Sequence, residues 1–181
     1  MRLIKDDDPA ATTLSIGDGA NDVAMITAAN VGVGIAGLEG AQASRAADYS
    51  IGQFKHLKPL LFVHGREAYR RNAYLICYIF YKNALMVLPQ YWFGFYSGFS
   101  GQPLYEPWMY QCYNIAFTAF PIIWFGVFDF QCDKKDFLQN PSLYKLGLEN
   151  QCFNKPTFYK WILKGIIQAA VIMLICIPGF L

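Results

Sequence analysis

Three long apolar stretches follow residue 72, and they constrain the fold more than any other feature of the sequence. They cover residues 73–96, 108–128 and 159–181. A helix over the 24 residues of the first stretch rises about 36 Å, enough to cross a hydrocarbon layer of roughly 30 Å. Hydrophobic residues make up 55% of the chain and charged residues 15%, whereas soluble domains carry roughly a quarter charged residues. The sequence therefore predicts a multi-pass membrane protein with three spanning helices.

The basic residues predict the orientation of these spans. Residues 55–72 contain five Lys or Arg and residues 129–164 contain six, whereas the short loop 97–107 contains none. Segments rich in Lys and Arg stay on the cytoplasmic side of a membrane. We therefore expect the N-terminal region and the loop 129–158 to be cytoplasmic and the loop 97–107 to be exoplasmic. The net charge of +2 is too small to indicate a nucleic-acid partner.

The N-terminal 54 residues have a different pattern, in which strands and helices alternate. Such alternation is typical of an α/β domain with a parallel sheet. About fifty residues are too few for a complete domain of this kind, so we expect the C-terminal part of a larger α/β domain, followed by a basic stalk helix over residues 55–72. The predicted order is strand Thr12 to Ile16, helix Val23 to Asn30, strand Val31 to Ile35, helix Glu39 to Ala47 and strand Asp48 to Ile51.

Three glycines in this region spell G-x-G-x-x-G, the dinucleotide-binding fingerprint. They are Gly32, Gly34 and Gly37, and Asp48 follows only eleven residues after the last. The fingerprint requires a strand before it, a helix opening within it and an acidic residue about twenty residues later. Here the glycines fall inside the predicted strand, so we interpret them as small residues where a strand packs against a helix.

One motif of this region indicates a metal and phosphate site. It is Ile16-Gly17-Asp18-Gly19-Ala20-Asn21-Asp22-Val23. Its glycines allow a sharp turn between a strand and a helix, which presents Asp18 at the carboxyl end of the strand with Asp22 one helical turn further on. Two carboxylates at this spacing suit Mg²⁺, and the N-terminus of a helix favours phosphate. The alternative is that Asp18 or Asn21 merely caps the helix.

The complete string resembles the hinge motif of P-type ATPases, whose phosphorylation domain has the haloacid-dehalogenase fold. The resemblance implies that Asp18 holds the catalytic Mg²⁺ and that Asn21 and Asp22 support the metal and nucleotide phosphates. It also implies ATP as a substrate. The family's nucleophilic aspartate, in a D-K-T-G-T motif, does not occur in these 181 residues, so we expect no ATP turnover from them alone.

A lysine lies near the middle of the first apolar stretch. Inserting the charged side chain of Lys82 at this depth of a membrane costs roughly 3 kcal/mol on insertion scales, unless the side chain is paired or hydrated. A charged residue inside a membrane span is therefore a candidate functional site. The alternative is that it pairs with a carboxylate or carbonyls of a neighbouring helix and only holds the helices together. Asn83 and Asn114 are possible uncharged partners. None of the three stretches contains Asp or Glu, which argues against a metal-cation pump because such pumps need carboxylate oxygens.

Tyr81-Lys82-Asn83 resembles the fifth membrane helix of the type IV P-type ATPases, the phospholipid flippases. The resemblance implies a lipid path containing Lys82 and Asn83, with Asn114 as a further candidate, and an accessory two-span glycoprotein as partner. The stretches would then be the fifth, sixth and seventh membrane helices. A P-type cation pump and a catalytically inert membrane scaffold remain as alternatives. Further matching strings are Leu14-Ser15-Ile16, Asp48-Tyr49-Ser50-Ile51, Gln53-Phe54, Val63-His64-Gly65-Arg66 and Asn114-Ile115-Ala116-Phe117-Thr118.

The orientation can be tested by labelling introduced cysteines. Because Ser100 lies in the loop without Lys or Arg and Ser142 in the lysine-rich loop, Ser100→Cys should react with a membrane-impermeant thiol reagent added from the exoplasmic side, and Ser142→Cys should not. The unsubstituted protein supplies the background from native cysteines. Labelling of Ser142→Cys alone would invert the predicted topology.

Overall fold

The computed structural model describes residues 2–37 and 41–180. The chain divides into two compact units, Met1–Leu61 and Phe62–Leu181. Residues 39 and 40 of the predicted helix Glu39 to Ala47, and the last residue of the predicted third span, lie outside the described residues.

The first unit contains a parallel sheet of three strands in the order β1-β2-β3. Leu14 of β1 pairs with Val31 of β2, and Val33 of β2 pairs with Tyr49 of β3. The predicted alternation of strands and helices in a parallel sheet is thus confirmed for the described residues. The elements are α1 (Arg2–Asp7), β1 (Leu14–Gly17), α2 (Val23–Ala28), β2 (Val31–Ile35), α3 (Gln42–Ala46), β3 (Tyr49–Ile51) and α4 (Leu57–Pro59).

The glycines of β2 lie where helices pack closely on the sheet. A Cβ on Gly32 would come within 2.6 Å of Ile26 of α2, and a Cβ on Gly34 within 2.5 Å of the Ser44 Cα of α3. Val33 between them is fully buried. The interpretation of these two glycines as packing positions is therefore confirmed.

The second unit is helical. Its longest helix, α5, is preceded by a π-helical turn at Leu60–Gly65, so the backbone is helical from Leu57 to Tyr96. The basic stalk over residues 55–72 stays a prediction. The helices are α5 (Arg66–Tyr96), α6 (Pro107–Cys112), α7 (Ala119–Phe128), α8 (Lys134–Gln139), α9 (Lys145–Leu148) and α10 (Lys155–Phe180).

Two helical segments of the described residues are long and apolar enough to cross a membrane, Pro107–Phe128 and Lys155–Cys176. They correspond to the second and third predicted spans, and most of their side chains are not buried within the chain. Helix α5 is not one of the two, because Lys82, Asn83 and several tyrosines lower its mean hydropathy. The first span therefore stays a prediction.

Several predicted boundaries differ from the structure by one to four residues, and two of these differences have a local cause. Helix α10 begins at Lys155, four residues before the predicted third span, because the Asn154 side chain accepts a hydrogen bond from the Thr157 amide at 2.8 Å and caps the helix. Pro156 is tolerated there since the first turn needs no amide donor. Helix α2 ends at Ala28 rather than Asn30, whose side chain accepts hydrogen bonds from Thr13 instead.

Helices α5 and α10 pack along a strip of small residues. Gly165 faces the Tyr81 carbonyl at 3.2 Å and the Ala84 Cβ at 3.3 Å, measured from the position of an added Cβ. Cys77 and Ala169 are buried. Small side chains at these positions let the two helices approach closely, as in many membrane helix pairs.

The packing at β2 yields a stability prediction. Gly34→Ala places a methyl group against the α3 backbone, which cannot move as freely as a side chain, so it should destabilise the unit by about 1–3 kcal/mol. Gly52→Ala is the control because a Cβ there meets nothing within 4 Å. Thermal unfolding of the full-length protein measures both. Equal melting temperatures for the two variants would contradict this packing.

Candidate functional site

The loop after β1 is shaped by the close approach of Gly17 and Asp22. A Cβ on Gly17 would lie 2.3 Å from the Asp22 Cβ, so only glycine fits. The space lets the Asp22 carboxylate reach back to the Asp18 amide, with Oδ2 accepting its hydrogen bond at 3.2 Å. The predicted motif therefore folds into a compact loop closed by one of its own acidic residues.

The capping alternative does not describe this loop. The residues at the N-caps of the 3-10 turn Ala20–Asp22 and of α2 are Gly19 and Asp22, and neither makes a side-chain capping bond. Asp18 precedes the turn, so Asp18 and Asn21 are not N-caps. Asp22 follows Asp18 across this 3-10 turn, and α2 begins only at Val23.

The loop fits part of a Mg²⁺ site. Asp18 is exposed and its carboxylate accepts no hydrogen bond from a described residue, so both oxygens are free to bind a cation. Mg²⁺ is usually held by one or two protein carboxylates together with waters and substrate phosphates. The described residues contain no group of three or more His, Cys, Asp or Glu that would hold a metal. Asp18 and Asp22 thus supply two carboxylates, and further ligands must come from water, phosphate or residues elsewhere.

The second candidate site surrounds Lys82 at the midpoint of α5. Its ammonium group donates hydrogen bonds to Asn114 Oδ1 and to Thr118 Oγ1, both at 3.1 Å. Lys82 makes no ion pair with a described carboxylate. An ammonium group has three donors, and two are used here by neutral oxygens. The structure thus brings two of the predicted site residues, Lys82 and Asn114, into direct contact. No carboxylate of the described residues compensates the positive charge of Lys82.

A distortion of the facing segment supplies these oxygens. Between α6 and α7 the chain forms a π-helical turn, Tyr113–Phe117, and the Thr118 amide bonds to the Tyr113 carbonyl five residues earlier at 3.0 Å. Pro121 has no amide hydrogen for the Phe117 carbonyl, which disrupts regular helix at this point. Such π turns are common at functional sites.

Two tyrosines complete the polar cluster. The Tyr113 hydroxyl donates to the Lys82 carbonyl at 2.9 Å, and the Tyr78 hydroxyl donates to the Thr118 carbonyl at 3.0 Å. The Thr118 hydroxyl in turn donates to the Tyr113 carbonyl at 2.8 Å. Sequence reasoning missed Thr118, which is 7% exposed, although its position four residues after Asn114 was a usable signal.

Asn83 is not part of this cluster. Asn83 is exposed, and it forms no hydrogen bond with the side chain of Lys82 or of Asn114. Adjacent residues of a helix point in directions about 100° apart, so Lys82 and Asn83 cannot face the same partner. The role of Asn83 in the lipid path remains a prediction.

Comparison with known proteins identifies the family. Residues 44–180 match the model of the phospholipid-translocating P-type ATPase C-terminal region. The chain belongs to this family. The family resemblance of Tyr81-Lys82-Asn83 is thereby confirmed at the level of the type IV phospholipid-transporting ATPases.

The chain is similar to curated members of this family from human and yeast. It is 47% identical over 170 residues to the probable phospholipid-transporting ATPase IM of Homo sapiens, covering 94% of this chain and 14% of that protein. It is 47% identical over 161 residues to the phospholipid-transporting ATPase DRS2 of Saccharomyces cerevisiae, covering 89% and 12%. The chain therefore spans about one seventh of the length of these relatives.

Proposed function

We propose that this chain is part of an ATP-driven phospholipid flippase that moves lipid from the exoplasmic to the cytoplasmic leaflet through an aspartyl-phosphate cycle. The observation that carries the proposal is Lys82, a cation in an apolar stretch without Asp or Glu, held by the neutral oxygens of Asn114 and Thr118. A phospholipid headgroup contains phosphate, which a lysine attracts and a carboxylate repels. Membership of the phospholipid-translocating family supports the same substrate class.

The phosphoryl-transfer part of the proposal concerns the first unit. We propose that it is the C-terminal part of a haloacid-dehalogenase-like phosphorylation domain. Among the described residues β1 pairs only with β2, so its other edge can accept a strand from the rest of the domain. Such a strand would carry the nucleophilic aspartate next to the loop of Asp18, Asn21 and Asp22.

Within this loop each residue has a distinct proposed task. Asp18 and Asp22 would bind Mg²⁺, and Asp22, whose carboxylate closes the loop on the Asp18 amide, would also keep Asp18 in place. Asn21 would donate to nucleotide phosphate from its exposed position. Bound Mg²⁺ neutralises charge on the transferring phosphoryl group.

Coupling between the two parts is proposed to run along the helical backbone that extends from Leu57 to Tyr96. The stalk would be cytoplasmic, as its basic residues indicate. An accessory two-span glycoprotein is the proposed partner, and it rests on the family resemblance alone.

A P-type cation pump and an inert membrane scaffold are the two alternatives to a flippase. The cation pump is disfavoured by the absence of carboxylates near Lys82 among the described residues and by the family match. The inert scaffold is compatible with a chain that lacks D-K-T-G-T. ATPase activity of the full-length protein separates the scaffold from the flippase.

The metal site is tested by Asp18→Asn in the full-length protein. Loss of the carboxylate charge should lower phosphoenzyme formation or turnover in Mg²⁺ by on the order of 100-fold, because a metal in such sites contributes several kcal/mol of charge stabilisation. Asp7→Asn, the same change at another exposed carboxylate, is the control and should leave activity unchanged. Near-normal activity of Asp18→Asn would remove Asp18 from the site.

The lipid site is tested by Lys82→Ala and Lys82→Arg. Alanine removes the charge and leaves headgroup oxygens unmatched, a loss of about 1–3 kcal/mol per interaction, so the lipid concentration for half-maximal ATPase stimulation should rise about 5- to 150-fold. Arginine keeps a broader, planar charge and should give an intermediate value.

Phosphorylation by ATP should be nearly normal in both Lys82 variants, because the Lys82 ammonium group donates its hydrogen bonds to the 107–128 segment and not to the loop of Asp18. Lipid-triggered dephosphorylation should fail instead. Normal lipid stimulation of Lys82→Ala would mean that Lys82 only holds the two helices together.

A further inference from the structure

A second polar cluster lies at the start of α5, sixteen residues before Lys82. In the sequence its arginines served only to predict the orientation of the spans. Arg66 and Glu67 are 3% and 4% exposed and are the only charged residues buried among the side chains that the structure describes. Glu67 accepts hydrogen bonds from Arg66 at 2.9 Å and from Arg70 at 3.1 Å. One buried carboxylate therefore pairs with two guanidinium groups and orients both. We call Arg66, Glu67, Arg70 and Asp129 the arginine clamp.

Arg70 joins α5 to the end of α7. Its Nη2 donates to Asp129 Oδ2 at 2.6 Å, and its guanidinium lies 5.5 Å from the centre of the Phe125 ring. Asp129 directly follows the last residue of α7. Arg71 donates to the Asp129 carbonyl at 3.1 Å, and a cation at the C-terminus of a helix is favourable.

The electrostatics of Arg70 favour a permanent contact. Burial alone lowers the pKa of the Arg70 guanidinium, but hydrogen bonds and Coulombic attraction from Asp129 and Glu67 outweigh burial and raise the pKa above its ordinary value. Arg70 is therefore charged throughout the physiological pH range.

Arg66 fastens the segment that follows α7. Its Nε donates to the Leu143 carbonyl at 2.9 Å and its Nη2 to Gln131 Oε1 at 2.8 Å, while its guanidinium stacks 4.5 Å above the Phe137 ring. Phe137 is 1% exposed. The residues after α7 thus fold against α5 around a buried arginine.

The clamp and Lys82 connect the same two helical segments at two levels. Arg70 and Lys82 are separated by twelve residues of α5, or about 18 Å along the axis. Contacts at separated levels resist tilting of one helix against the other. Between these two levels lie the Tyr78–Thr118 hydrogen bond and the stacked rings of Tyr74 and Phe125. Hydrogen-bonded guanidinium groups also specify register more strictly than apolar contacts do, because their donors have fixed directions.

We propose that Arg70 is a positioning residue for lipid transport, which acts through the arginine clamp to make the 107–128 segment follow α5. This inference rests on the proposed flippase function. Arg70 touches no lipid in this scheme. It transmits movement of α5 to the segment that carries Asn114 and Thr118, so its loss slows the step in which bound lipid triggers dephosphorylation without weakening lipid binding.

The test compares Arg70→Met, which keeps the side chain's length and loses its charge, with Arg70→Lys and with Lys135→Met in the full-length protein. Lys135 is exposed on α8 and serves as the matched control for charge removal. Hydrogen exchange of the amides of residues 129–151 reports the clamp itself. Dephosphorylation, measured per phosphoenzyme molecule over a range of lipid concentrations, reports transport.

We expect faster exchange in Arg70→Met and a maximal dephosphorylation rate lower by on the order of tenfold. The half-maximal lipid concentration should stay within about twofold in Arg70→Met, whereas Lys82→Ala should raise it. Arg70→Lys should recover part of the rate, and Lys135→Met should resemble the unsubstituted protein. Asp129→Ala should reproduce Arg70→Met, and the double variant should lose no more than either single one.

Three results would overturn the inference. Unchanged exchange in Arg70→Met means that the clamp does not hold the segment, and faster exchange with a normal rate per phosphoenzyme means that it only stabilises the fold. Additive losses in the double variant mean that Arg70 does not act through Asp129. If Arg70→Met does not fold, Asp129→Asn at the more exposed partner decides by the same criteria. Absence of phosphoenzyme in the unsubstituted protein instead refutes the proposed function and with it this step.

Discussion

A charged group inside an apolar helix pair must find polar partners, and the second unit is arranged around that requirement. Lys82 is served by side-chain oxygens of a segment whose regular helix is broken by a π turn and by Pro121. The same break leaves the Tyr113 carbonyl to accept from both the amide and the hydroxyl of Thr118. Polar groups thus satisfy one another in a network, and removal of one member leaves others unpaired.

The two polar clusters of α5 differ in the groups that surround their positive charges. The arginine clamp contains carboxylates, and its guanidinium groups are neutralised by Glu67 and Asp129. Lys82 meets only uncharged oxygens among the described residues, so its charge remains available. Under the proposed function this difference is expected, because carboxylate partners strengthen a mechanical connection, whereas a group that meets an anionic headgroup must not be neutralised beforehand.

In the first unit the controlling constraint is steric. Gly17 leaves space for Asp22 to fold back on the loop, and Gly34 lets α3 rest on β2. Both positions concern the absence of a Cβ rather than backbone angles that only glycine adopts. The chemistry proposed for Asp18 depends on this packing, since a larger residue at position 17 would displace Asp22 and open the loop.

The sequence by itself determined the kinds of element and their order. Alternation of β-branched residues and glycine indicated β2 to the residue, the apolar stretches indicated the long helices, and the spacing of Lys82, Asn83 and Asn114 indicated a polar site in the membrane region. These features follow from local periodicity, which the chain carries without reference to its neighbours.

The tertiary structure alone decided which of these residues meet. It excluded Asn83 from the Lys82 cluster and added Thr118, Tyr113 and Tyr78, because helix rotation and the π turn determine which side chains face one another. It also turned Glu67 and Asp129, unremarkable as single acids in the sequence, into partners of Arg70. The Glu67–Arg70 pair is local, three residues apart on one helix, but the Arg70–Asp129 contact joins distant parts of the chain, so it depends on helix packing and no local pattern encodes it.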